Sequence, residues 1–391
     1  MMNIDQIRQD TPGCADKLFF NSAGSSLPPA MVVQKISEYL REEEQQGGYK
    51  LAELRSREIQ GFYEEAALLL NTRAENIAFA SHATDAYAKA LSAVPFEAGD
   101  VILTTDDDYV SNYLNFLSLQ KRMGIRIVRA GNLPNGDLDL DHFGELAKQH
   151  QPKLVAITHI PTSSGLVQDA ESVGAICREY DCLYLLDACQ SVGQISVDVE
   201  KIGCDFLSAT GRKFLRGPRG TGFLYVSDRV LQEGYAPLFV DLRGAHWTAG
   251  DQYALQPDAR RFETWEVSYA LLLGLKEALA YANRLGMQQI EVYNRELMRD
   301  LRQKLSAIPG VRLLDQGTRL GNILTFQKEG QTLEQTQKCL DQHQVLYSVA
   351  QKSSAQYDFD KKGIDWAIRL SPHYFNTLEE MGRLAKLIAD L

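Results

Sequence analysis

Cys182-Leu183-Tyr184-Leu185-Leu186-Asp187-Ala188-Cys189-Gln190-Ser191 is an apolar run of strand length that ends in a carboxylate. A continuous run, rather than an apolar and polar alternation, is what a strand buried on both faces requires, and such strands belong to parallel sheets covered by helices. The same unit repeats on either side. Strands are expected at 77–79, 101–104, 125–128, 154–159, 183–186, 206–208 and 222–226, with helical periods at 84–93, 110–123, 138–150 and 170–180. That alternation predicts an α/β fold built on a mostly parallel seven-stranded sheet. The pattern changes after about residue 230. Residues 235–259 mix Gly, Trp and His without a period, and long helices follow at 269–285 and 291–305. A smaller α+β lobe is expected beyond them, with strands at 311–314, 322–326 and 366–370 and helices at 333–342 and 378–388.

Composition narrows the function. The chain has 391 residues, and its 41 Lys+Arg against 51 Asp+Glu give a formal charge of −10, which argues against nucleic acid as the main partner. No apolar stretch is long enough to span a bilayer, and the polar start of the chain lacks the core of a signal peptide, so a cytoplasmic protein with no membrane partner is expected. Six cysteines are too sparse for a disulfide framework, and neither they nor the seven histidines show metal-ligand spacing, so no metal is expected.

The stretch Ser208-Ala209-Thr210-Gly211-Arg212-Lys213-Phe214-Leu215-Arg216-Gly217-Pro218-Arg219-Gly220-Thr221-Gly222 carries the chemistry. It sets one lysine between a short apolar strand and a glycine-rich turn. A solvated basic loop has the same composition, and Asp187 alone reads equally well as a helix cap. Neither GxGxxG nor GxxxxGK[ST] occurs, which disfavours a dinucleotide or a P-loop and favours another phosphate-bearing cofactor. Asp187 lies at the carboxyl edge of a parallel sheet, where open α/β folds bind ligands. Together with Lys213 it suggests a carboxylate that keeps a pyridinium nitrogen protonated beside a Schiff-base lysine. Cys189 reads as a small packed residue.

With these residues in hand, the chain resembles the class V aminotransferase family of pyridoxal-5'-phosphate (PLP) enzymes, which includes cysteine desulfurases, selenocysteine lyases and related C–S lyases. The likeness runs from Leu18-Phe19-Phe20-Asn21-Ser22-Ala23-Gly24 to Arg369-Leu370-Ser371 and Tyr374-Phe375-Asn376-Thr377-Leu378-Glu379-Glu380. It implies the PLP-dependent transferase fold type I, with a large domain at 18–260 and a small domain formed by 1–17 and 261–391. By the resemblance Lys213 carries the cofactor, Asp187 pairs with the pyridine nitrogen and Gln190 lies near the phenolic oxygen. Ala83 and Thr84 match the phosphate-binding turn, Thr162 lies on a cofactor-flanking loop, and Arg369 binds the substrate α-carboxylate. Asn21 and Ala23 fall in the opening turn beside the substrate.

Several positions depart from the family pattern. Thr210-Gly211-Arg212-Lys213 stands where Ser-x-His-Lys is usual, so Thr210 still offers phosphate a hydroxyl and Arg212 supplies a permanent cation. Tyr109 replaces the histidine that stacks on the ring. Arg260-Arg261-Phe262-Glu263-Thr264-Trp265-Glu266 resembles the segment that reaches the partner subunit's phosphate, which implies a homodimer with shared sites. Trp265-Glu266 replaces the usual Gly-Thr there, and Arg260 or Arg261 is a candidate for an acidic part of the substrate.

Residues 345–391 contain no cysteine to accept sulfur as a persulfide, and the corresponding loop reads Ala350-Gln351-Lys352-Ser353-Ser354-Ala355-Gln356. The expected activity is therefore a C–S lyase, in which β-elimination on a cysteine conjugate or its S-oxide gives pyruvate and ammonia. Tyr109, the Arg212-Lys213 pair and the Arg-Arg-Phe-Glu string most resemble hercynylcysteine sulfoxide lyases of ergothioneine biosynthesis. Alternatives are an aminotransferase, a cysteine desulfurase or selenocysteine lyase, and an epimerase of the isopenicillin N type.

Overall fold

The computed structural model describes residues 2–391. Its strands, in chain order, are β1 (Leu18–Phe19), β2 (Ile77–Ala80), β3 (Val101–Thr105), β4 (Arg126–Ala130), β5 (Leu154–Thr158), β6 (Leu183–Asp187), β7 (Phe206–Thr210) and β8 (Gly222–Val226). They continue with β9 (Ala245–Ala249), β10 (Gln252–Leu255), β11 (Val311–Leu313), β12 (Leu324–Lys328), β13 (Val345–Leu346), β14 (Ser348–Gln351) and β15 (Trp366–Leu370). The large sheet has the order β2-β8-β7-β6-β5-β3-β4, and β8 alone runs against the others. All seven of its strands coincide with the apolar runs expected from sequence.

Burial explains why those runs are continuous. On β6, Tyr184 and Leu186 enter one core cluster and Leu183 and Leu185 the other, so the two-residue period buries both faces. One face packs against helices Ala30–Gln46, Ser56–Leu70 and Tyr269–Leu285, through Phe62, Leu70, Leu273 and Leu279. The other meets helices Ala83–Ala93 and Val110–Met123 through Tyr87, Ala90 and Phe116.

The smaller lobe is an antiparallel sheet in the order β11-β12-β15-β14, covered by helices Met287–Ser306 and Leu378–Ala389. Three of its strands were expected. The fourth, β14, falls just before and partly within the 350–356 stretch read as a loop; it is an edge strand paired only with β15, and its exposed side leaves no apolar period. The aperiodic 235–259 stretch contains the exposed antiparallel hairpin β9–β10. The cores also move the expected domain boundaries. Helix Tyr269–Leu285 shares the large-sheet core through Leu272, Leu273, Leu275 and Leu279, whereas Leu18 and Phe20 join the small-lobe core, with β1 paired to β13.

Close packing of helix on helix rests on one missing side chain. A Cβ at Gly174, on helix Ala170–Glu179, would lie 1.7 Å from the carbonyl oxygen of Ile202. Gly174→Ala is therefore expected to lower stability by about 1–3 kcal/mol as the helix is forced outward. Chemical denaturation reads this directly, and an unchanged midpoint would contradict the packing.

Candidate active site

Residues from five strand ends converge on one cavity at the carboxyl edge of the large sheet. The chain leaves β2 into His82, Ala83 and Thr84, β3 into Asp108 and Tyr109, β5 into Ile160 and Thr162, β6 into Asp187, Cys189 and Gln190, and β7 into Arg212 and Lys213. All but Asp108 line the cavity, and Thr158 and Thr210 complete its wall. This edge lies where the strand order reverses, the place at which α/β sheets leave a crevice.

Lys213 is buried, with Nζ 5.9 Å from the centre of the Tyr109 ring. Burial pushes its amine below the ordinary lysine value; Arg212 and Arg369 act in the same direction and Asp187 opposes them. Asp187 is also buried; its Oδ2 accepts from Asn112 Nδ2 at 2.8 Å and its Oδ1 from the Cys189 N–H at 3.0 Å. Behind it, Asp108 Oδ1 accepts from the Tyr109 N–H at 2.7 Å and from Asn112 Nδ2 at 3.2 Å, and Asp108 Oδ2 accepts from Thr104 Oγ1 at 2.7 Å. Thr158 Oγ1 donates to Asp108 Oδ1. One amide thus bridges two carboxylates. Sequence reading gives no role to Asn112, Asp108 or Thr158; the four-residue spacing from Asp108 to Asn112 is the signal that a helix start would bring them together.

At the opposite wall, Arg369 Nη1 donates to Thr162 O at 3.0 Å and Thr162 Oγ1 at 2.9 Å, and Nη2 reaches Asn21 Oδ1 at 3.4 Å. Burial, with Arg212 adding to it, lowers Arg369 to about 10, and its Nε has no partner. Gln190 Nε2 donates to Thr162 Oγ1 at 2.9 Å and to Ala23 O at 3.2 Å. Arg212 Nη1 donates to Gly24 O. The structure therefore brings together Lys213, Asp187, Tyr109, Gln190, Ala83, Thr84, Thr162, Thr210, Arg212 and Arg369, with Asn21 and Ala23 bonded to its edge.

Arg261 and Trp265 lie elsewhere. Arg261 is buried with its guanidinium spent on the carbonyls of Gln256, Leu231 and Tyr235, at 3.0, 3.2 and 3.1 Å, so it has no reach toward substrate in its own subunit. Arg260 is paired with Asp258. Trp265 is half-exposed, and its N–H donates to Asp241 Oδ1 at 2.7 Å. Glu263 accepts from Tyr63 OH and the Phe79 N–H, both at 2.9 Å, and pairs with Arg243 at 3.1 Å.

The chain belongs to the aminotransferase class-V family, whose model matches residues 18–384. It is 29% identical over 399 aligned residues to a "Probable cysteine desulfurase" of Methanothermobacter thermautotrophicus, covering 100% of this chain and 98% of that protein. A "Probable cysteine desulfurase" of Xylella fastidiosa is 32% identical over 292 residues, covering 73% of this chain and 68% of the other. Among solved structures, the apo cysteine desulfurase of Thermococcus onnurineus superposes with a TM-score of 0.91 at 24% identity, covering 100% and 98% of the two chains. A cystine C–S lyase bound to its product cysteine persulfide gives 0.86 at 22%, covering 97% and 99%. The fold is that of PLP-dependent transferases of fold type I.

The cofactor of this family is PLP, and the cavity fits it. His82 Nδ1 caps the helix Ala83–Ala93 by accepting from the Asp85 N–H at 3.0 Å, and the N–H groups of Ala83 and Thr84 have no acceptor among the described residues. Free N–H groups at a helix start suit a phosphate. That helix start can sit so low because Gly222 has no side chain: a Cβ there would lie 3.0 Å from Ala83 N and 2.6 Å from Ala209 O. Gln190 Oε1 is buried without a partner, as a site for a polar ligand leaves it.

Burial raises Asp108 from 3.8 to about 6, with the neighbouring Asp187 carboxylate adding to the shift against the donors from Thr158, Thr104 and Asn112. Its folded value lies above its unfolded one, so the stability linked to this proton is present in acid and is lost as pH rises through about 6. Asp108→Asn is expected to flatten that loss between about pH 4 and pH 6, as read from urea midpoints across pH. An unaltered slope would place the titration elsewhere.

Proposed function

We propose that this chain is a PLP-dependent lyase that cleaves the C–S bond of a cysteine-derived amino acid by β-elimination. The observation that carries this reading is the convergence of Lys213 and Asp187 on one cavity, with Arg369 bonded to its wall at Thr162, together with a C-terminal segment, 345–391, that holds no thiol. When bound, PLP supplies an electron sink for charge developing at the substrate Cα. Lys213 Nζ would hold the cofactor and, when free of it, could take the Cα proton, a task to which the lowering of its proton affinity by burial is suited. Asp187 would keep a proton on the pyridine nitrogen, and Tyr109 would stand against the ring. Arg369 orients the α-carboxylate with a planar two-pronged donor. The sulfur group then leaves with its electron pair, and hydrolysis of the released enamine gives pyruvate and ammonia.

The relatives' descriptions favour a second reading, cysteine desulfuration, whose carbon product is alanine. That chemistry needs a thiol to take up sulfur. Cys339 lies on helix Leu333–Gln342 with its Sγ 4.0 Å from Leu387 O, and Cys189 is the one cysteine lining the cavity, its thiol pushed well above the ordinary value by burial. Incubating the purified protein with hercynylcysteine sulfoxide and with cysteine separates the readings. Pyruvate and ammonia in equal amounts, lost by about 10³-fold or more in Lys213→Ala, support elimination. Alanine with protein-bound sulfane sulfur overturns it, and a shift of the cofactor to its amino form without pyruvate indicates transamination.

A homodimer is part of the same proposal. Phe239 and Trp247 are 86% and 84% exposed, and Leu238, Leu242 and Tyr253 beside them are also bare. So apolar a surface around one hairpin suits burial against a second copy. Sedimentation is expected to show a dimer, and Trp247→Glu to shift it toward monomer; a monomeric parent protein would refute the assembly.

A further inference from the structure

Thr158 and Ile160 line the cavity around Lys213, whereas His159 between them lines a second cavity, of about 720 Å³. Helices Leu140–His150 and Ala170–Glu179 begin on its wall. Their first turns bring Asp139, Asp141, Asp169 and Glu171, none of which has a cation within 4.0 Å among the described residues. The two cations on the wall are taken: Lys201 faces Asp198 at 3.9 Å and Arg319 faces Glu291 at 3.2 Å. Helix capping accounts for Asp139 and Asp169, which accept from the N–H groups of His142 and Ser172, both at 3.0 Å. Capping leaves two buried groups on the same wall unexplained. Gln168 is 1% exposed and His159 5%. Gln168 Nε2 is spent on Thr158 O at 2.6 Å, so what remains is Oε1, an acceptor with no donor among the described residues. His159 Nδ1 has no partner either. Burial, with Arg319 adding to it, lowers His159 to about 3, so its ring is neutral and offers one acceptor nitrogen. Buried acceptors are seldom left bare. Set among unpaired carboxylates, these two call for a ligand that brings both N–H groups and positive charge. Leu138, Leu140 and Ile202 add an apolar stretch of wall that suits a methylene chain.

We propose that this second cavity binds a small alkyl diammonium ion, one end donating to Gln168 Oε1 and the His159 ring and the other meeting the exposed carboxylates of Asp141 and Glu171. The site lies outside the cavity that holds Lys213, so its ligand is independent of the reaction proposed above.

Primary diamines react with PLP, so the probe is N,N,N′,N′-tetramethylbutane-1,4-diamine, which keeps an N–H on each charged nitrogen and forms no imine. Calorimetry on the PLP-loaded protein at fixed ionic strength is expected to show one site with a Kd of about 0.1 mM or tighter. The bis-quaternary hexamethyl analogue carries the same charges without an N–H. It should bind about tenfold or more weakly, since it leaves Gln168 Oε1 and His159 bare. Asp141→Asn combined with Glu171→Gln alters only exposed side chains and should weaken the tetramethyl probe by about tenfold. His159→Phe should narrow the difference between the two probes. No heat of binding means that water alone fills the cavity, and equal affinity for the two probes means diffuse attraction to surface charge; either overturns the proposal. So does an affinity unchanged in the double variant, or loss of the cofactor's absorption band on adding the probe, which would place the amine in the reaction cavity.

Discussion

The turn that carries Lys213 is held in place by both ends of the chain, and the rest of the site is arranged around it. Arg216 closes the turn by donating its N–H to Lys213 O at 2.9 Å, at a positive φ of 63° that a non-glycine residue adopts only when its surroundings hold it there. Its fully buried guanidinium donates to Leu27 O at 2.8 Å and to Thr11 Oγ1, and lies 4.9 and 4.8 Å from the rings of Tyr374 and Phe375. No carboxylate among the described residues pairs with this charge; carbonyl and hydroxyl acceptors and aromatic faces surround it instead. From the C-terminal side, His373, kept neutral by burial, donates from Nε2 to Phe214 O at 2.8 Å. The Ser26 N–H donates to Arg212 O at 2.8 Å. Residues hundreds of positions apart therefore fix the backbone on either side of one amine.

The second junction is electrostatic. Asp187 and Asp108 stand at the ends of different strands, and two like charges so enclosed would repel. The Asn112 amide between them and the Thr158 hydroxyl beneath Asp108 let both persist, while burial and the neighbouring Asp187 carboxylate push Asp108 upward.

How much of this the sequence discloses follows from which forces leave a local trace. The seven large-sheet strands are legible because burial on two faces writes an unbroken apolar run, as in 183–186. Helix Ala30–Gln46 escaped notice because it buries only Val32 and Tyr39 along its length, and β14 because an edge strand needs no apolar face. Within the site, the residues on short strand-end motifs were legible: Lys213, Asp187, Gln190 and Thr84 each sit just beyond a strand that announces itself. Arg261 was not, since the carbonyls that consume its guanidinium belong to residues 231, 235 and 256, and nothing in a string of basic residues tells a solvated arginine from a buried one. The same blindness applies to Arg216, whose partners come from the opposite ends of the chain.

The segment after β14 bears on the chemistry more than its sequence suggests. A sulfur relay requires a thiol that travels between the cofactor and an acceptor, and hence a segment free to move. Here the corresponding stretch runs into helix Gln356–Lys362, which is fastened to the large lobe at several points. Arg129 stacks 3.5 Å over the ring of Tyr357, whose hydroxyl lies 3.1 Å from that of Tyr113, and Lys361 pairs with Asp106 at 2.7 Å. Tyr113 belongs to the same helix as Asn112, so the fastening ends one residue from the amide that bridges the two carboxylates. The segment thus carries no cysteine and is held against the large lobe by aromatic, hydroxyl and ionic contacts.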